Sequence, residues 1–260
     1  MIGFKESMDF SKFTKMNPND KNWGVLEKMY NKNFLNYEGK KEQKIPKILH
    51  MIWLGGELPK KYEVLNQIWK DKNPDWELKI WNDSEIEKLN MANRYLYDNV
   101  KNYGAKSDIA RYEILSQFGG VYVDTDFYCN KSFNEILYLD FFTGTGHQYD
   151  ASVINSIVAS APNGEMINQC VNKLKTQKID ESSFDQIMHM TGPYFLTNVI
   201  FKSKSKELNV VFPTTFFFPL PPDNLVKMNF NKNIEKYIKP YIKDETFCVH
   251  LWYQSWQKVK

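Results

Sequence analysis

The chain has 260 residues, 34 of them basic and 31 acidic, for a formal net charge of +3 at pH 7. That is enough chain for one large α/β domain and too little for two full ones, and the charges are interspersed rather than gathered into the basic stripe of a dedicated nucleic-acid binder. Aromatic content of 15% within 42% hydrophobic residues argues against disorder and supplies rings that can stack on ligands.

Cys129, Cys170 and Cys248 are odd in number, far apart and without C-x-x-C spacing, so neither a disulfide framework nor a zinc site is expected. A reducing, cytoplasmic setting fits that usage. No apolar run approaches the roughly 18 residues of a membrane-spanning helix, which leaves peripheral contact as the expected limit of membrane association.

Residues 1–44 are rich in Lys and Asn and read as a partly helical N-terminal extension, with Trp23, Leu26, Glu27 and Tyr30 near one helix face. From Ile45 the character changes, and 45–260 reads as the main domain. Ile45–Leu54 is mostly apolar and stops at Gly55-Gly56, as a buried strand does. A helix over 60–72 places Tyr62, Leu65 and Trp69 on one face and closes at Asn73-Pro74. Residues 77–81 alternate as a second strand, and Asn82-Asp83-Ser84 caps a following helix. A helix over 107–118 ends at Gly119-Gly120 and feeds the short strand Val121-Tyr122-Val123. Later elements are a strand near 141–144, helices near 165–174 and 184–190, and a final strand over 246–251. Strand, helix, strand implies a mainly parallel sheet with ligands beyond its carboxyl ends.

Asp124 and Asp126 follow that third strand with one residue between them, so an extended segment points both carboxylates the same way. A hard dication, Mn²⁺ or Mg²⁺, suits such oxygens and can neutralise a departing diphosphate as a Lewis acid. Alone, D-x-D is as consistent with a solvated turn. Asp108 and Arg111 share a face of the helix leading into it, although such a pair is commonly a surface ion pair of little worth.

Together these residues form a long signature, A-K-S-D-x-x-R-Y-x-x-L-x-x-x-G-G-V-Y-V-D-T-D over 105–126. It resembles the sugar-binding region of the D-x-D glycosyltransferases of family 32, which includes yeast-type initiating mannosyltransferases and bacterial capsule and lipopolysaccharide transferases. More distantly it is similar to the glucosylating domain of large clostridial toxins. The resemblance extends to I-P-K-I-L-H-M-I-W-L-G-G at 45–56, N-P-D-W-E-L-K-I-W-N-D at 73–83, T-G-P at 191–193 and H-L-W-Y-Q-S-W at 250–256.

The resemblance implies a GT-A fold and metal-dependent transfer of a hexose-type sugar, with retention, from a nucleoside-diphosphate sugar to a glycan or other hydroxyl acceptor, as in polysaccharide biosynthesis. UDP is favoured over GDP. Trp53 would stack on the base, with Asn82, Ser84 and Ser107 bordering the nucleoside and Tyr122 along the donor. Asp108 and Arg111 would grip sugar hydroxyls, and Asn155 would lie near the anomeric centre. Asp124 and Asp126 would hold the ion with His250. Trp252, Ser255 and Trp256 would close over the diphosphate, one indole N–H donating to it. No carboxylate stands out as a covalent nucleophile, so front-face transfer is expected. Two other classes remain open: a haloacid-dehalogenase-type phosphohydrolase, against which Phe127-Tyr128 after the D-x-D counts, and an inactive sugar-nucleotide-binding relative.

Overall fold

The computed structural model describes residues 2–8, 15–222 and 234–253. Its described residues begin with the short helix α1 (Phe4–Met8) and α2 (Asn22–Tyr30), which runs on as a π-helical turn over Asn31–Leu35. Then come β1 (Ile48–Ile52), α3 (Glu63–Lys72), β2 (Glu77–Trp81), α4 (Asp83–Lys88), α5 (Arg94–Asn99), α6 (Tyr103–Phe118), β3 (Gly120–Val123) and β4 (Phe127–Cys129). The chain continues through β5 (Phe141–Gly144), β6 (Ile154–Ser160), α7 (Glu165–Leu174), α8 (Phe184–Met190), α9 (Pro193–Lys202), β7 (Asn209–Phe212), α10 (Ile234–Ile238) and β8 (Cys248–His250).

Six strands form the main sheet in the order β2-β1-β3-β6-β5-β7. β1 is parallel to both β2 and β3, and β5 is parallel to β7, while β6 runs against its neighbours β3 and β5. The sheet is therefore mainly parallel with one reversed strand, as the sequence implied. The expected elements from Ile48 to Gly144 are present. α6 starts earlier than expected because the Asn102 side chain accepts from the Ala105 N–H at 3.1 Å and caps the helix there.

β6, β7 and α9 were not expected. Asn155 and Ser156 give β6 a polar start, β7 is four residues long, and Gly192-Pro193 reads as a turn although Pro193 fills the first position of α9. The Lys- and Asn-rich N-terminal segment also hides core residues. Phe4, Met8, Leu26, Tyr30 and Phe34 are buried in the main core, and Phe34 meets Phe212 of β7 edge-on with centroids 4.9 Å apart.

Three glycines shape the chain at the two ends of these strands, Gly119 and Gly120 where it enters β3 and Gly55 beyond the carboxyl end of β1. Gly119 and Gly120 have φ of 65° and 97°, a region that side chains disfavour, and a Cβ on Gly120 would lie 2.6 Å from the Ile48 carbonyl. Gly55, at φ 80°, ends the β1 loop against Tyr103 and donates its N–H to Asp83 Oδ2 at 2.9 Å.

Beside them, His50 ties the sheet together. Its Nδ1 accepts from the Trp81 indole at 3.1 Å, so Nε2 carries the proton and donates to the Gly119 carbonyl at 2.9 Å. Burial, reinforced by the charge of Lys79 and opposed by the Gly119 carbonyl, pushes His50 down from 6.5 to about 4. A His with a depressed folded value stabilises the fold above its unfolded value and loses that contribution as pH falls toward the folded one. Wild-type protein should therefore lose about 3 kcal/mol more unfolding free energy than His50→Gln between pH 7 and pH 4, read by denaturant titration. Parallel pH curves for the two proteins would remove His50 as a stability determinant.

Candidate active site

A cavity of about 580 Å³ opens at the carboxyl ends of β1 and β3. One wall comes from α6, which contributes Tyr103, Gly104, Ser107, Asp108 and Arg111, and from Ile154, Asn155 and Ser156 of β6. Trp53, Leu54 and Gly55 lie at the β1 end, and Phe184, Ile187, Met188 and Pro193 of α8 and α9 form an apolar side.

The two aspartates are aimed by a tight turn. The Asp124 N–H donates to the Ser156 carbonyl at 2.9 Å, and the Phe127 N–H donates back to the Asp124 carbonyl at 3.3 Å. The chain then enters β4, which pairs antiparallel with β8 so that Phe127 faces His250. This register carries a residue more than 120 positions away to the D-x-D: His250 Nε2 lies 3.2 Å from Asp126 Oδ1, and the imidazole stacks on Phe127 with centroids 4.6 Å apart. Each of Asp124, Asp126 and His250 offers a ligand atom, all within 4.8 Å of one another.

Arg111 is the cation buried among these groups. Its guanidinium lies 3.1 Å from Asp108 Oδ1 and 3.5 Å from Asp124 Oδ1, with its carbon 4.3 Å from the Tyr122 ring centroid. It also donates to the Asn155 carbonyl and to the Ser107 carbonyl. Burial alone would lower its pKa; the surrounding Tyr122, Asp108 and Asp124 reverse that and hold it protonated. Asp108 accepts from Asn155 Nδ2 at 2.8 Å and from Thr191 Oγ1 at 3.0 Å, while Tyr122 donates to Asp124 Oδ1 at 2.6 Å.

Burial raises the carboxyl of Asp108, with Arg111, Thr191 and Asn155 pulling the other way. Asp124 is raised by burial and by the charge of Asp126, against the pull of Arg111. Asp126 is lowered: burial works against its ionisation, but His250 and the Tyr253 N–H, which donates to Oδ2 at 2.7 Å, outweigh that cost. The pair is thus held unequally, with Asp126 the firmer anion.

Trp53, Ser107, Asp108, Arg111, Tyr122, Asp124, Asp126, Asn155, His250 and Trp252 all line the cavity. Asn82 and Ser84 do not. Both are exposed, and their side chains are engaged at the start of α4, where Asn82 Oδ1 accepts from the Glu85 N–H and from Ser84 Oγ. The indole N–H of Trp252 donates to the Leu220 carbonyl at 2.8 Å rather than into the cavity. Ser255 and Trp256 lie outside the described residues.

Sequence reasoning missed Tyr103, Ser156 and the apolar residues of α8. It also missed Thr191, whose only signal was its place in the T-G-P motif. The donor set fits a divalent ion: two carboxylates and an imidazole suit Mn²⁺, and the buried, partnerless His250 Nδ1 marks a site still short of a polar partner among the described residues. No helix among the described residues is long and apolar enough to cross a membrane.

Residues 59–142 match the family described as "Glycosyltransferase sugar-binding region containing DXD motif". An uncharacterized glycosyltransferase of Acanthamoeba polyphaga mimivirus is 27% identical over 223 residues, covering 82% of this chain and 84% of that protein. Inositol phosphoceramide mannosyltransferase 3 of Schizosaccharomyces pombe is 27% identical over 59% of this chain. Mannosyl phosphorylinositol ceramide synthase of Saccharomyces cerevisiae is 30% identical over 62% of it. The matches span only 44% and 43% of those two fungal proteins. The solved structure of the PaToxG glycosyltransferase superposes with a TM-score of 0.52 at 18% identity, covering 69% of this chain and 75% of that one, a likeness of fold. The chain thus has the fold of the GT-A type glycosyltransferases, and its residues 59–142 are similar to the sugar-binding region described for glycosyltransferases with a DXD motif.

Proposed function

We propose that this protein is a metal-dependent, retaining glycosyltransferase that moves a hexose-type sugar from a nucleoside-diphosphate sugar to a hydroxyl acceptor on a glycan or similar molecule. The observation that carries this reading is the convergence of Asp124, Asp126 and His250 within 4.8 Å, in a cavity that runs from Trp53 to Asn155. These three side chains would hold Mn²⁺ or Mg²⁺, which when bound neutralises charge on the leaving diphosphate. Trp53, half-buried at the β1 end, offers a ring for the base. Arg111 and Asp108 fix the electrostatics of the sugar end, and the leaving diphosphate itself takes the acceptor proton on the front face. UDP is the nucleotide proposed, and the mannosyltransferase names of the fungal relatives make GDP-mannose the donor to test beside it. We assign residues 45–260 to the catalytic domain, with the preceding helices packed on it, and place the reaction on the cytoplasmic side, in keeping with three buried free cysteines.

The test is incubation with a panel of UDP- and GDP-sugars, with and without Mn²⁺, following nucleotide release and the anomeric configuration of the product by proton NMR. Metal-stimulated release with retained configuration is expected. Inversion would exclude the retaining mechanism, and phosphate release from simple esters without nucleotide release would replace the transferase by a phosphohydrolase.

Asp126→Asn should lower metal-stimulated turnover by at least about a hundredfold while the protein still unfolds cooperatively, because a neutral amide oxygen is a poor ligand for a hard dication. His250→Ala should raise the Mn²⁺ concentration needed for half-maximal activity; an unchanged metal titration would take His250 out of the ligand set. Trp53→Ala should raise the donor dissociation constant by roughly tenfold with a smaller change in kcat, since stacking persists from ground state to transition state. Normal donor affinity in that variant would make Trp53 a packing residue.

A further inference from the structure

Cys129 and Cys248 are far apart in the chain, and the fold brings them face to face. β4 pairs antiparallel with β8 in a register that puts Cys129 opposite Cys248, two residues along from the Phe127–His250 pair. Both cysteines are fully buried in the main core, whereas the intervening pair, Tyr128 and Val249, belongs to the second core. The two thiols therefore leave their strands on the same side of the ribbon.

The hydrogen-bond ladder says how near they lie. The Leu251 N–H donates to the Asp126 carbonyl at 3.0 Å and the Asn130 N–H to the Phe247 carbonyl at 2.9 Å, which makes both of these pairs hydrogen-bonded positions. Such positions alternate along an antiparallel ladder, so Cys129 and Cys248 occupy a non-hydrogen-bonded one. Opposed Cα atoms there are about 4.5 Å apart, within the roughly 4.4–6.8 Å that a disulfide spans. Cys170 is carried by α7, outside this ribbon.

We propose that Cys129 and Cys248 are a modification site: a cross-strand disulfide closes between them under oxidation and clamps β4 to β8 in the register that sets His250 beside Asp126. The chemistry is thiol–disulfide exchange with a small disulfide as the oxidant. One cysteine thiolate attacks that disulfide and displaces its first thiolate, and the other cysteine thiolate then attacks the mixed disulfide and displaces the second. The protein gains one S–S bond while the oxidant is reduced to two thiols, which take up the two protons the cysteines lose. Burial pushes both cysteine thiols up, and the nearby Cys129 adds to the rise at Cys248, so neither is a ready nucleophile in the closed fold. Exchange proceeds when β8 parts from β4, and in a reducing setting the pair stays as thiols. Once formed, the bond closes a loop of about 120 residues and removes that freedom from the unfolded chain.

The experiment incubates folded wild type with hydroxyethyl disulfide, caps the remaining thiols with iodoacetamide and maps the cysteines by peptide mass spectrometry. A bond joining the Cys129 and Cys248 peptides within one chain is expected, with Cys170 capped. The oxidised protein should melt several degrees above the reduced one, and its Leu251 amide should exchange hydrogen at least about tenfold more slowly. Dithiothreitol should reverse both changes. Cys129→Ala and Cys248→Ala, each compared before and after the same treatment, should show neither change, and Cys170→Ala should show both. Three capped cysteines after treatment, or a bond that takes in Cys170 or a second chain, overturns the proposal. An oxidised form that melts no higher than the reduced one also overturns it, because the bond would then distort the ribbon instead of clamping it. Should a variant fail to fold, the wild-type bond map and melting comparison decide the matter alone.

Discussion

Crowding the buried Asp108 and the partly buried Asp124 into one cavity wall is costly without a compensating charge, and the buried Arg111 supplies it. It bonds Asp108 on its own helix, faces Asp124 beyond β3, lies against the Tyr122 ring of β3 and donates to the Asn155 carbonyl of β6. One planar group therefore joins α6, β3 and β6 at the point where the sheet turns from parallel to antiparallel pairing. The burial of α6 follows from this. The helix carries buried Asp108, Arg111 and Glu113 among apolar neighbours, and Glu113 is satisfied separately by the Ala92 and Asn93 N–H groups. A lysine in place of Arg111 would bring the charge without the fork of donors that reaches several partners at once.

The second element of the site is set by strand register rather than by charge. Because β4 continues directly from the D-x-D turn and pairs with β8, placing His250 beside Asp126 needs only that Phe127 and His250 be opposite one another. The Leu251 N–H to the Asp126 carbonyl, at 3.0 Å, extends that pairing one residue further. A slip of one residue would turn the imidazole to the other face and leave Asp126 without its partner from β8. Buried apolar residues guard against the slip: Val249 and Leu251 pack with Tyr62 and Leu65 in a second core that faces α3.

These features differ in how visible they are before folding. The D-x-D, the Asp108–Arg111 pair, Trp53 and Gly119-Gly120 are local patterns, in which spacing alone dictates shared faces or turns; the structure places the first three at the carboxyl end of β1 and β3 and the glycine pair at the entry to β3. Asn82 and Ser84 lie close in sequence to a site element, yet their side chains are turned to the first turn of α4, the alternative use that Asn and Ser offer most readily. β6 could not be read because its half-polar start breaks both alternation and continuity, and Ser156 was hidden with it. The N-terminal helices were obscured for the opposite reason. Their core residues are sparse within a Lys- and Asn-rich segment, and only contact with Phe212 and Phe216 reveals that Tyr30 and Phe34 belong to the main core.

The chain after β8 shows how backbone conformation enters the chemistry. Trp252 has φ of 56°, a left-handed conformation that a bulky side chain adopts only where its surroundings compensate. The compensation is visible: the indole is anchored on the Leu220 carbonyl, the ring lies 4.3 Å from the His250 ring centroid, and the reversal delivers the Tyr253 N–H to Asp126 Oδ2. Asp126 is consequently fixed through both oxygens, Oδ1 toward His250 and Oδ2 on the main chain, while Asp124 Oδ1 is shared by Tyr122 and Arg111. A carboxylate has about four lone-pair positions, so two partners orient each group and leave capacity for another. The strained turn and the buried guanidinium act on different aspartates to the same end: both carboxylates are held in orientation.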